Sequence, residues 1–174
     1  RAEGTPLAVY KCLKERYSES HRDYHTLSHI KTCLNEFQLA KHLAENPNAI
    51  ETALWLHDIV YETSEKEGYG RDNENKSAEL AADILMKQMG LARDFTNMIT
   101  SLILSTKHTT THANDIDEKL MVDIDLAILG RSTRLFNIYE KQIRQEYDFI
   151  PEKIFTKKRT EILGTFLPPH RQRV

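Results

Sequence analysis

Apolar residues recur at intervals of three and four along nearly the whole chain, and strand-like alternation is absent. That is the period of helices packed by one face, and about eight helices follow from it. The first is expected over Pro6 to Glu19, with Leu7, Tyr10, Leu13 and Tyr17 inward. The second is expected over Tyr24 to Glu45, with a stripe of Leu27, Ile30, Leu34 and Phe37, and Asn46-Pro47-Asn48 stops it. Asn48 and Glu51 stand in capping-box register for a third helix that carries Ile50, Ala53, Leu54 and His57 and ends in the adjacent His57 and Asp58.

A polar run from Thr63 to Asn75, with Gly68 and Gly70, is the longest expected irregular segment and a candidate lid. The fourth helix is expected over Asn75 to Met89, with Ala78, Ala81, Ala82, Leu85 and Met89 inward. The fifth covers Ala92 to Thr106, with Phe95, Met98, Ile99, Leu102 and Ile103 inward. The sixth, Ile116 to Leu129, is apolar on most sides from Leu120 onward, as a central helix would be. Gly130 ends it and Ser132 caps a seventh helix bearing Leu135, Tyr139, Ile143 and Tyr147. Pro151 suits the start of an eighth, with Ile154, Phe155 and Ile162, which Leu167-Pro168-Pro169 ends. The expectation is therefore an all-α bundle forming one domain over residues 1–174.

Composition narrows the partners. The net charge of −2 gives no electrostatic reason to expect nucleic-acid binding. No apolar run is long enough to cross a membrane, and no signal-peptide pattern opens the chain. Cys12 and Cys33 sit among apolar neighbours in expected helices, and they read as reduced core residues of a cytoplasmic protein.

Four polar positions conflict with their apolar settings. His57 lies on the inward stripe of the third helix, followed by Asp58. Asp123 and Asp125 interrupt Leu120-Met121-Val122-Asp123-Ile124-Asp125-Leu126-Ala127. Buried imidazole and carboxylate groups are costly unless paired or bound to metal. The alternatives are a hydrogen-bonded His57–Asp58 pair and internal salt bridges, although Asp125 lies too far into its helix to cap it. His25 and His29, spaced by four, would share one face of the second helix. A histidine at a helix start, a His-Asp pair and an inward aspartate can meet around one divalent ion.

This H…HD…D order resembles the HD superfamily of metal-dependent phosphohydrolases, and in particular a branch of uncharacterised predicted members. The blocks that carry the resemblance are Tyr24-His25…His29-Ile30, Leu56-His57-Asp58-Ile59-Val60-Tyr61, Asn73-Glu74…Ser77-Ala78, Asp123-Ile124-Asp125-Leu126-Ala127-Ile128-Leu129-Gly130 and Ile143-Arg144…Glu146-Tyr147. The resemblance spans Tyr24 to Leu167 and implies an HD-type helical bundle. It implies His29, His57, Asp58 and Asp125 as metal ligands, with Asp123 beside them or facing substrate. The Tyr-His-x-x-x-His start is also similar to that of cyclic nucleotide phosphodiesterases. That similarity implies His25 as the acid that protonates the leaving oxygen, against a capping or supporting role.

The activity so implied is hydrolysis of a small phosphate ester, nucleotide-like, by a monomer or homodimer. The ion would activate water and polarise a phosphoryl oxygen. Nitrogen and oxygen ligands without thiolate suit Mn, Fe, Co or Ni, and less clearly Mg. A second ion would need Glu62, Glu74 or His108. Glu62, four after Asp58, is a candidate catalytic acid if the helix continues. In the ppGpp-hydrolysing relatives two acids follow the HD pair, and here only one does. Glu74 is either a site acid or, with Asn73, a helix cap. Lys107 and His108 are candidate rim groups, and Arg144, Lys158 and Arg159 candidate phosphate clamps. A phosphodiesterase or pyrophosphohydrolase, and a non-catalytic metal- or nucleotide-binding regulatory module, are the alternative functions.

Overall fold

The helical period becomes eight α-helices among the described residues of the computed structural model, which are 6–63, 72–107 and 115–167. They are α1 (Pro6–Arg16), α2 (Leu27–Ala40), α3 (Pro47–Leu56), α4 (Asn73–Asp83), α5 (Arg93–Ser105), α6 (Ile116–Asp125), α7 (Thr133–Glu146) and α8 (Glu152–Thr165). Short 3₁₀ turns follow α2 and α6, at Lys41–Leu43 and Leu126–Gly130, and a π turn, Ile84–Gln88, extends α4. No strand occurs among the described residues, and none of these helices is long and apolar enough to cross a membrane.

The core lies between α2, α3, α4, α5 and α6. Ile30, Cys33 and Phe37 of α2 meet Ile50, Ala53 and Leu54 of α3, Ala81 of α4, Ile99 and Ile103 of α5, and Met121 of α6. All of these are buried, and filling their sites removes the largest apolar area from water in the molecule. Ala78 of α4 is buried in this core as well. α1 covers this core with Val9 and Leu13, joined by Tyr17 just beyond its end, whereas Leu7 and Tyr10 are exposed. The inward stripe of α1 is thus rotated from the expected one, carried by Val9 and Leu13, four apart, rather than by Leu7 and Tyr10.

Several ends differ from expectation. α2 starts at Leu27, capped by Thr26, whose side chain accepts from the Ser28 N–H at 3.3 Å. Asn46, not Asn48, is the N-cap of α3, so no capping box forms there. Asp117, buried in the first turn of α6, instead accepts the Glu45 and Asn46 backbone N–H groups, both at 2.8 Å. α3 ends at Leu56, and α6 gives way to a 3₁₀ turn immediately after Asp125. The π turn swings Met89 outward, and Gly90 then reverses the chain at φ 68°. That reversal lets the Leu91 N–H reach the Leu85 carbonyl at 2.9 Å, a closure that favours glycine. α8 buries none of its residues, and Ile154 and Ile162 are exposed, as are Met98 of α5 and Leu135 of α7. Of the expected loop over Thr63 to Asn75, residues 64–71 lie outside the described ones.

Candidate metal centre

Three helix ends converge on one point. The first turn of α2 supplies His29, the end of α3 supplies His57 and Asp58, and the last residue of α6 supplies Asp125. His29 and His57 are buried, with 4% and 2% exposure. The two Nε2 atoms lie 3.2 Å apart. Asp58 Oδ2 lies 3.4 Å from His29 Nε2 and 3.0 Å from His57 Nε2. Asp125 Oδ1 lies 3.2 Å and 3.4 Å from the same two nitrogens.

These spacings match the edges of a coordination polyhedron, which are about 3 Å (octahedral) to about 3.4 Å (tetrahedral) for bonds of about 2.1 Å. The chemistry of the donors fits as well. His57 Nδ1 donates to the Leu54 carbonyl at 3.0 Å, which leaves a lone pair on Nε2 when the ring is neutral. His29, His57 and Asp58 thus form a group able to hold a cation, and Asp125 reaches the same two nitrogens. Cys33 Sγ sits 3.7 Å from both ring nitrogens of His29, and with His29 and Asp125 it forms a second group whose ligand atoms lie within 4.8 Å of one another.

The electrostatics show what this packing demands. Burial works against the charged form of His29, but Cys33, Asp125 and Asp58 outweigh it and hold the ring well above the usual histidine range. His57 is raised likewise, burial opposing and Asp58 and Asp125 prevailing. Burial also opposes ionisation of Asp58, yet His57, His25 and His29 hold it well below the usual carboxylate range. Two carboxylates at this point require positive charge between them, as protons or as a cation.

Beside these four stands a second assembly. His25 lies in the turn before α2, not on its face, so the expected helical alignment of His25 with His29 does not occur. Its Nδ1 is 2.7 Å from Glu146 Oε2. Glu146, at the end of α7, is 3% exposed. Its Oε1 accepts the backbone N–H groups of Asp23, Tyr24 and His25 at 2.9, 2.8 and 2.9 Å. The Tyr61 hydroxyl donates to Oε2 at 3.0 Å, and the Tyr61 ring stacks on His25 at 3.9 Å. Burial pushes the Glu146 carboxyl up, but these bonds outweigh it and hold it down to about 2.

Arg22, also buried, joins the two assemblies through the backbone. Its guanidinium donates to the carbonyls of His25 (3.2 Å), Asp58 (2.7 Å) and Ile59 (3.2 Å), and to Glu19 (3.0 Å). The centre opens into a cavity of about 200 Å³. Asp58 and Asp125 line it together with His25, Tyr61, Asn73, Glu74, Thr106 and Tyr147.

Other candidate residues fall elsewhere. Because α3 stops at Leu56, Glu62 does not share a helix face with Asp58. It pairs with Lys76 at 2.5 Å and is not part of the cavity lining. Asn73 does not cap α4 but bonds both the N–H and the carbonyl of Glu62, at 3.1 Å each, which leaves Glu74 on the cavity wall. Asp123 is exposed, since a shift of two positions on a helix turns a side chain away from the face of Asp125.

Arg144 is no phosphate clamp here. It donates to the carbonyls of Tyr147 (2.6 Å) and Ile150 (3.0 Å) and to Glu152 (2.8 Å), closing the turn between α7 and α8. Arg159 is likewise spent on Glu140, at 2.6 Å, and the Tyr139 hydroxyl, at 2.7 Å. Lys158 is exposed on α8, and neither it nor Arg159 lines the cavity. Lys107 lies beside Asp72 at 3.7 Å, and His108 is outside the described residues. Glu146 and Arg22 received no role from sequence reasoning. Glu146 sits in one of the quoted blocks, while nothing in the pattern around Arg22 signals that it is buried. Compared with family models, curated proteins and solved structures, the chain matches none.

Proposed function

We propose that the protein is a divalent-metal-dependent phosphohydrolase acting on a small phosphate ester, with a nucleotide-like compound as the substrate class. One observation carries this reading: the Nε2 atoms of His29 and His57 lie 3.0–3.4 Å from each other and from carboxylate oxygens of Asp58 and Asp125, two residues that line a cavity. His29, His57, Asp58 and Asp125 would hold the ion, which would supply Lewis-acid activation of water and of a phosphoryl oxygen. Two imidazoles and two carboxylates without thiolate suit Mn²⁺, Fe²⁺, Co²⁺ or Ni²⁺. The phosphoester rests on the H…HD…D resemblance, and the cavity offers it a histidine, His25, against the metal ligands.

The chain's own groups divide the work. The Leu54 carbonyl orients His57 and presents its Nε2. Arg22 fixes the backbone of His25 relative to that of Asp58. His25 stands where it can give a proton to the oxygen that leaves phosphorus. Tyr61 and Tyr147 line the cavity with it.

A second reading has its own support. Without an ion the four groups satisfy one another as imidazolium–carboxylate pairs, and among the described residues no buried side-chain nitrogen or oxygen lacks a partner. In that case the cluster is purely structural. The deciding experiment is phosphate release from nucleotides and sugar phosphates by metal-stripped protein re-supplied with Mn²⁺, Co²⁺, Ni²⁺ or Mg²⁺, beside Asp58→Ala. Metal-dependent release absent from D58A supports the hydrolase. Absence of both turnover and stoichiometric metal from the wild type overturns it in favour of the structural cluster.

A further inference from the structure

We infer that Glu146 is the positioning residue of the proton donor: its carboxylate dictates which nitrogen of His25 carries hydrogen and turns Nε2 toward the leaving oxygen. This rests on the hydrolase reading and goes beyond it to a residue that binds neither ion nor substrate.

The geometry allows one arrangement. Glu146 Oε1 is committed to three backbone N–H donors, those of Asp23, Tyr24 and His25. Only Oε2 remains for side chains, and it faces His25 Nδ1 at 2.7 Å and the Tyr61 hydroxyl at 3.0 Å. An ionised carboxylate accepts and cannot donate, so Nδ1 must carry hydrogen. The ring is then held from three directions: by Glu146 at Nδ1, by the Tyr61 ring stacked 3.9 Å away, and by the edge of the Tyr24 ring at 5.1 Å. Nε2 is the nitrogen left for the cavity that His25 lines together with Asp58 and Asp125.

The proton balance follows. A water oxygen bonds to phosphorus while the bond from phosphorus to the leaving oxygen breaks, and its electron pair stays on that oxygen. The step starts with His25 carrying hydrogen on both nitrogens; the leaving oxygen takes the Nε2 proton, and the attacking water releases one to solvent. His25 ends neutral with hydrogen on Nδ1, the tautomer that Glu146 holds, so no rearrangement accompanies the transfer.

Glu146→Gln is the informative change. The three backbone donors require the amide oxygen at the Oε1 position, so the amide NH₂ must face His25 Nδ1. Nδ1 then has to accept, and the neutral ring moves its hydrogen to Nε2. Nitrogen NMR of the ring in metal-free protein reads this directly: hydrogen on Nδ1 in wild type, on Nε2 in E146Q. In the metal-loaded enzyme, hydrolysis of an alkyl phosphate is expected to fall on the order of 100-fold, the usual contribution of a general acid. Hydrolysis of p-nitrophenyl phosphate, whose leaving oxygen needs no proton, falls less than about 10-fold. His25→Ala, at a partly exposed side chain, reproduces this selectivity, and the double variant loses no more than H25A alone.

An unchanged tautomer in E146Q, or equal losses on both substrates, overturns the role of Glu146. Wild-type protein that holds metal and shows the expected tautomer but hydrolyses neither ester overturns the phosphohydrolase reading, and the proton-donating role with it.

Discussion

His29 and His57 stand 28 positions apart in sequence, yet their Nε2 atoms lie 3.2 Å apart in a buried site. With Nδ1 of His57 donating to the Leu54 carbonyl, two neutral rings cannot both present lone pairs to each other without a proton or cation between them. Asp58 and Asp125 reach the same nitrogens, so the charge that fills this point has four donors available.

Metal binding should follow that geometry and separate the two aspartates of α6. Asp125→Asn is expected to weaken Mn²⁺ or Co²⁺ binding by more than about 100-fold, the upper end of what losing a mere orienting group costs. Asp123→Asn, at an exposed position, should leave binding unchanged. Calorimetric titration of metal-stripped protein measures both, and equal losses would remove Asp125 from the ligand set.

The ion should also stabilise the fold, because it ties the ends of α2, α3 and α6 together. At a free concentration of 100 times Kd the gain is about 2.7 kcal/mol. For a chain of this length that is a rise in Tm of about 5–10 °C. A chelator should reverse it, and Asp58→Ala should abolish it. A melting curve insensitive to metal in the wild type would contradict this expectation.

Arg22 should matter to stability out of proportion to its distance from the cavity. Its side chain is fully buried and donates to three carbonyls. Arg22→Met leaves those carbonyls and Glu19 without their donor, at a cost of about 3–5 kcal/mol. Denaturant unfolding reads the loss. A cost below about 1 kcal/mol would mean that the clip is dispensable.

Glu146 predicts an acid limb. Its carboxyl is held at about 2 in the folded chain against an ordinary value of 4.5. A depressed folded value stabilises the fold above the unfolded value, and that contribution is lost as pH falls through the folded one. The wild type should therefore lose about 3 kcal/mol between pH 5 and pH 2 that E146Q does not lose. Parallel unfolding curves for the two proteins across this range would refute the assignment.

The basic residues of α7 and α8 should behave structurally. Arg144→Ala removes three donations around the α7–α8 turn and is expected to cost about 1–3 kcal/mol. It should leave metal affinity and KM for a phosphate ester unchanged. A raised KM at unchanged stability would return Arg144 to the site.

The helical class, the approximate order of eight helices and the core stripes of α2, α3 and α5 were legible from the sequence, because burial imposes a period that local residues carry themselves. His57, Asp58 and the acids of the sixth helix stood out as polar groups in apolar settings, whereas His29, and Asp125 rather than Asp123, were singled out by the H…HD…D resemblance. Glu62, Arg144 and Arg159 were misplaced because their surroundings depend on where helices stop and what packs beside them. α3 ending at Leu56 turns Glu62 toward Lys76, and nearby carbonyls and carboxylates claim both arginines. Only the tertiary structure could bring Glu146, 121 positions away, against His25, and seal Arg22 between two turns. A pattern along the chain records which side chains avoid water; which distant donor meets which acceptor is decided when the helices pack.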